Sequence, residues 1–178
     1  IYVPISANRE EALKTVNIFK PLYENAEIMK VGQNIKYDIE VLRRYDVEVR
    51  GPLFDTMIAH YLIQPELHHN MDYLAEIYLN YQTIHIEELI GPKGRGQKSM
   101  RDLAPTDIYE YAAEDADVTL KLKNILEPKL KELGVEELFH NIEMPLIQVL
   151  ADMELSGVVL DTKALAETAE TFNNRLLE

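Results

Sequence analysis

The sequence predicts an α/β fold, and three observations point to it. Residues 26–31 form a short apolar-rich run ending at Gly32, after which a helical pattern opens at Asn34 with Ile35, Ile39 and Leu42 on one side. Strand, glycine turn and helix in that order suggest an α/β crossover. Residues 47–54 make a second short strand candidate, interrupted by Gly51-Pro52, and Asp55 is a natural N-cap for a helix over 56–64. The third observation is the long helical pattern from Pro105 to Gly134, where Val118, Leu122, Ile125 and Leu126 recur at helical spacing.

The remaining elements follow from the same rules. Residues 1–5 read as a β-strand. Residues 10–23 carry Leu13, Val16, Ile18 and Phe19 on a helical period that ends near Pro21. Pro65 closes the helix over 56–64, His68-His69-Asn70 is a polar loop, and Asp72 caps or starts a helix over 73–79. Residues 84–90 are ambiguous. Residues 91–101 form a loop with three glycines and the basic residues Lys93, Arg95, Lys98 and Arg101. Pro128 is expected to kink or interrupt the long helix, and Pro145 a further helix over 135–156. Gly157 then caps that helix, residues 158–160 are β-like, and Asp161 caps a last helix to residue 178.

Composition bounds the chemistry. With 178 residues, 47% hydrophobic and 28% charged, the chain can bury one good core. No apolar run approaches the ~20 residues needed to cross a bilayer, and no signal peptide opens the chain. The absence of Cys excludes disulfides and thiolate zinc sites and fits a reducing cytoplasm, the expected location. Residue 1 is not Met, so the chain is expected to start inside a longer protein. A net charge of −13 argues against a passive nucleic-acid binder, which would carry a basic face. It is compatible with clustered carboxylates that recruit Mg²⁺ or Mn²⁺.

Two stretches carry candidate chemistry. Tyr111-Ala112-Ala113-Glu114-Asp115 places a phenol and a carboxylate four residues apart on one helix face. A carboxylate beside apolar positions is costly to bury unless it is paired or metal-bound, which makes Asp115 a candidate ligand and Tyr111 a hydroxyl able to orient water. Upstream, Asn34-Ile35-Lys36-Tyr37-Asp38 puts an amide and a carboxylate on one face at the first turn of another helix. The helix dipole favours a negative charge there.

Both stretches resemble known motifs. Residues 31–38 (VGQNIKYD) and 111–115 (YAAED) are similar to the second and third exonuclease motifs of the family A DNA polymerases of bacterial polymerase I type. The third has the Tyr-x-x-x-Asp form of the DEDD 3'-5' exonucleases. The run from Asn141 through Leu146, then Glu154 to Val158 and Asp161, resembles the entry into the polymerase region of the same family. The resemblance covers nearly the whole chain and implies a ribonuclease-H-like exonuclease domain over residues 1–140, lacking its N-terminal strands. Residues 141–178 would begin the polymerase thumb, with the boundary falling near residues 134–141.

The family hydrolyses 3'-terminal DNA nucleotides with two divalent cations about 3.5–4 Å apart. The resemblance implies Asp38 and Asp115 as metal ligands, with Asp115 on the metal that carries the nucleophile. It implies Tyr111 as the residue positioning water, and Asn34 and Tyr37 near the single-stranded 3' end. The family's first motif, an early-strand Asp-x-Glu, is missing. Residues 1–37 contain no Asp, and the triplets starting at Asp38, Asp46 and Asp152 come too late. That strand is expected to lie upstream of Ile1, or to be degenerate in the parent. With two of four carboxylates, this chain is expected to hydrolyse DNA negligibly and to bind Mg²⁺ or Mn²⁺ weakly.

Other residues are weighed beside these. Lys93 and Arg95 are candidate phosphate contacts for a frayed strand. Ile86 stands where family members can place an aromatic against the substrate base. Glu114 and Asp117 fall on other helix faces and read as solvated or structural, and Asp55 as an N-cap. His68-His69 reads as an unspecific loop pair. Missing first strands would leave an unpaired edge, so a dimer through residues 1–5 is expected. A ribonuclease D-type exonuclease, a catalytically dead scaffold domain and a protein-interaction module are the alternatives.

Overall fold

In the computed structural model, residues 2–176 are described, and two short strands sit within an otherwise helical chain. Strand β1 (Lys30–Gly32) leads through Gln33 and Asn34 into helix α2 (Ile35–Arg43), and the chain returns as β2 (Leu53–Asp55). The strands pair in parallel, Lys30 with Leu53, Val31 with Phe54 and Gly32 with Asp55. This is the crossover the sequence predicts. Close approach of helix to strand requires Gly32, since a Cβ there would lie 2.8 Å from that of Ile35.

The strands are shorter than the apolar runs that suggested them. Of residues 26–31 only the last two join β1, and of residues 47–54 only Leu53 and Phe54 join β2. Gly51, at φ 86°, and Pro52 turn the chain just before the ladder starts. Residues 2–5 form no strand, and Ile1 lies outside the described residues. No strand lies beside them among the described residues, and Pro4 lacks a backbone donor.

Helix α1 (Arg9–Tyr23) starts at Asn8, whose side chain accepts from the Glu10 and Glu11 amides, and it runs two residues past Pro21. Helix α3 (Thr56–Ile63) follows β2 directly. Helix α4 (Met71–Leu79) is capped by Asn70, not Asp72, because the Asn70 side chain reaches the Tyr73 amide at 3.1 Å. We expect Asn70→Ala to cost about 0.5–1 kcal/mol in urea unfolding, the loss of one N-cap. The ambiguous segment 84–90 resolves as helix α5 (Ile86–Ile90).

Helix α6 (Pro105–Glu132) is the spine. Leu122, Leu126 and Leu130 recur every fourth residue, so all three fall on one face and are buried. That face packs against α3 and α4. The helix is not interrupted at Pro128 as expected. Leu126 and Leu130 are buried in the core on either side of it. Each buried leucine contributes about 1.5–3 kcal/mol. Gly134, at φ 70°, closes the helix end.

After α7 (Glu136–Leu138), a π-helical turn spans Phe139–Glu143 and passes into α8 (Met144–Ser156). The irregularity therefore precedes Pro145, which sits in the first turn of α8. Phe139, Met144, Ile147 and Ala151 are buried in the same core cluster as Ile39, Phe54 and Leu126. Helix α8 packs against α2, joined by the Lys36–Glu154 pair and by Arg43, which reaches Asp152 at 2.5 Å. Helix α9 (Thr162–Leu176) begins after Asp161, which accepts from the Ala164 amide at 2.9 Å. It buries none of its described residues.

Candidate active site

One half of the site lies on α6. The Tyr111 hydroxyl and the Asp115 carboxylate interact across one helical turn, as their spacing requires. Burial pushes the Asp115 carboxyl up to about 6, and the Glu114 and Asp72 charges add to the rise while Tyr111 opposes it. The Tyr111 phenol is pushed up to about 12, first by burial and then by the Asp115 charge. A phenol held that high keeps its proton at neutral pH, so it can orient a water but not deprotonate one.

Two further carboxylates shape this half: Asp72, which the sequence offered as a helix start, and Glu114, which it offered as solvated or structural. Glu114 is bound to the segment before α5, accepting from the Tyr81 hydroxyl at 2.6 Å and the Ile84 amide at 2.8 Å. Asp72 accepts from the Thr83 hydroxyl at 2.7 Å and lies 3.2 Å from His85 Nδ1. Together they tie residues 81–85, just before α5 with Ile86 at its first position, to α4 and α6. Thirty residues separate Glu114 from Ile84, so no local sequence signal predicts their bond.

The other half lies at the start of α2. Asn34 adopts a left-handed backbone, φ 60° and ψ 48°, and its side chain makes no capping bond, leaving the amide exposed to solvent. Tyr37 is exposed as well. Asp38 reaches solvent but is recessed, lining a cleft of about 520 Å³ with Tyr37, Ile35 and Val31. Desolvation in that recess, and then the neighbouring Asp55 charge, push its carboxyl up to about 6.

Below Asn34, Gln33 donates to the His69 carbonyl at 2.7 Å and pairs through its amide oxygen with the Thr56 hydroxyl. His69 is not the idle loop residue its sequence context suggested. Its Nδ1 lies 2.7 Å from Nδ1 of the buried His60. Gln64 Oε1 faces His60 Nε2 and accepts from Tyr78, so His60 carries its proton on Nε2 and accepts at Nδ1.

Strand β1 joins the two halves, since it leads into α2 and packs against α6. Asp38 and Asp115 have different charged neighbours, Asp55 for the first, Glu114 and Asp72 for the second. Among the described residues no three His, Asp or Glu side chains gather as a metal site. The donors nonetheless suit hard divalent cations in kind, being partly desolvated carboxylates whose charge no nearby cation offsets among the described residues. Lys93 and Arg95 stand on an exposed loop, outside both halves.

Comparison with known proteins decides the family. The model of a 3'-5' exonuclease family matches residues 1–131. The chain belongs to this 3'-5' exonuclease family. Curated relatives agree with that assignment. DNA polymerase I of Pseudomonas aeruginosa is 36% identical over 179 residues, covering 98% of this chain and 19% of that protein. DNA polymerase I of Borreliella burgdorferi is 37% identical, covering 92% of this chain and 18% of its own. That of Rhizobium leguminosarum is 38% identical over 149 residues, 83% of this chain and 14% of its own. The chain spans about a fifth of the length of the first of these relatives. Family membership implies a ribonuclease-H-like fold, and the chain is mostly helical around its small parallel sheet. No helix among the described residues is long and apolar enough to cross a membrane.

Proposed function

We propose that this chain is the proofreading 3'-5' exonuclease part of a DNA polymerase I, acting on the single-stranded 3' end of DNA. The observation that supports the reading is that Asp38 lies on the helix that follows β1 and Asp115 on the helix that packs against β1, both with partly desolvated carboxyls and no cation offsetting them among the described residues. Bound Mg²⁺ or Mn²⁺ would supply charge neutralisation at the scissile phosphate and acidify a water. Asp38 and Asp115 would hold the cations. Tyr111, kept protonated, orients the attacking water. The free Asn34 amide and the exposed Tyr37 ring approach the terminal nucleotide, and Lys93 and Arg95 reach phosphates of the frayed strand.

Residues 1–140 then make the exonuclease domain and residues 141–178 open the polymerase region. The family match stops at residue 131, while the similarity to DNA polymerase I runs on through nearly the whole chain, which supports this division. The apolar residues Val158, Val159 and Leu160 stand exposed before α9, a surface suited to packing against another structural element. Residues 1–178 carry two of the four carboxylates the family uses, so the chain by itself is a poor catalyst. A dimer by strand addition would form through residues 2–5, which pair with no strand among the described residues.

Thymidine monophosphate, the product of 3' trimming, tests the reading. Added with Mg²⁺ to the labelled chain, it should shift the amide resonances of Asn34, Tyr37, Tyr111 and Asp115. Shifts confined to other surfaces, or none, would sink the reading. A 5'-labelled single strand should stay intact with the chain alone. Trimming that Asp115→Ala abolishes would show that two carboxylates suffice.

A further inference from the structure

Asp55 touches neither substrate nor metal in the proposed hydrolysis, yet its carboxylate is 1% exposed. Its two oxygens serve different helices. Oδ1 accepts from the Met57 amide at 2.8 Å and the Ile58 amide at 3.2 Å, the N-cap of α3. Oδ2 accepts from the Ile35 amide at 2.7 Å, the first residue of α2 and twenty residues earlier in the chain. The backbone N–H of Asn34 lies near enough to favour the charged form of this carboxylate as well. Three N–H groups at two helix starts thus bond to one side chain.

Helix α2 needs this help. Its own N-cap residue, Asn34, is held left-handed and offers no side-chain cap, so the first amides of the helix lack a local acceptor. A buried amide left unpaired is costly, and the carboxylate on the neighbouring strand removes that cost. Asp38 lies three residues after Ile35, on the same helix face. Metal ligands work only within a fraction of an ångström of their productive geometry, so what fixes the first turn of α2 fixes Asp38.

We propose that Asp55 is a positioning residue for Asp38: its carboxylate clamps the start of α2 to that of α3 and sets the direction in which Asp38 and the Asn34 amide face a divalent cation and a 3' nucleotide. This inference rests on the metal-site reading above, and the test separates the two.

The test uses the labelled chain and two variants. Asp55→Asn keeps Oδ1 for the α3 cap and sets an amide NH₂ against Ile35. Asp55→Ser keeps a good N-cap but is too short to reach α2. Amide exchange and paramagnetic broadening by Mn²⁺ are read residue by residue. In both variants the Ile35 amide should exchange about tenfold faster or more while Met57 keeps its protection. Broadening at Asp38 should fall severalfold and that at Asp115 should stay. Broadening at Asp38 that survives in both variants overturns the inference and leaves the metal reading standing. Weaker broadening at Asp38 with no faster exchange at Ile35 marks a lost charge and overturns positioning. No broadening at Asp38 or Asp115 in the unmodified chain overturns the metal reading, and the inference with it.

Discussion

Phe139→Ala is expected to lower unfolding stability by about 3–5 kcal/mol, the cost of truncating a buried aromatic whose site cannot collapse. The Phe139 ring is fully buried and lies 4.8 Å from that of Phe54 on β2, tilted at 54°. Tilted aromatic pairs at that separation are favourable beyond the area they bury. Phe54 belongs to the sheet and Phe139 to the π turn that follows the family match, so the substitution asks whether this turn is part of the core. Urea unfolding of the variant measures it. A loss below about 1 kcal/mol, the range of surface changes, would mean that the turn is peripheral.

Asp115→Asn should do the opposite. The Asp115 carboxyl titrates at about 6 in the folded chain against an ordinary 3.8. Between those two values the folded state holds a proton that the unfolded state has released. Stability therefore falls as pH rises through this window, and the full cost is present above pH about 6. The asparagine variant escapes that cost. After allowing for half-exposure, it should be about 1–2 kcal/mol more stable at pH 7.5 and no more stable at pH 3.5. Thermal unfolding at both pH values measures the difference. A gain of equal size at both would trace to packing rather than charge. An ionised side chain kept where it weakens the fold is what a metal ligand requires.

Much of this architecture was legible because its signals are local. The turn through Gly32 and Asn34 into α2, the cap at Asp55 and the Tyr111–Asp115 face follow from spacing and turn chemistry alone. So does Asp161 at the head of α9. What escaped is tertiary. Residues 1–5 have β-forming side chains but no neighbouring strand among the described residues, and a strand is defined by its partner. Pro128 should break a helix, yet α6 runs through it between two leucines buried in the core. Of the candidate site, the identities of Asp38, Tyr111 and Asp115 came from motif resemblance. Their raised proton affinities, and the roles of Asp55, Asp72, Glu114 and His60, depend on partners 9 to 33 residues away along the chain or on burial that no short window encodes.

Helix α2 is fastened on its outer side to α8 by Lys36 with Glu154 and by Arg43, which grips both Asp152 and Gln148. Beneath those polar fasteners Met144, Ile147 and Ala151 lie in the shared core. The two helices therefore behave as one lever. A tug on the chain beyond Ser156 arrives at Asp38 through side chains, bypassing the sheet, and whatever steadies the C-terminal segment also steadies the hand that would hold the ion.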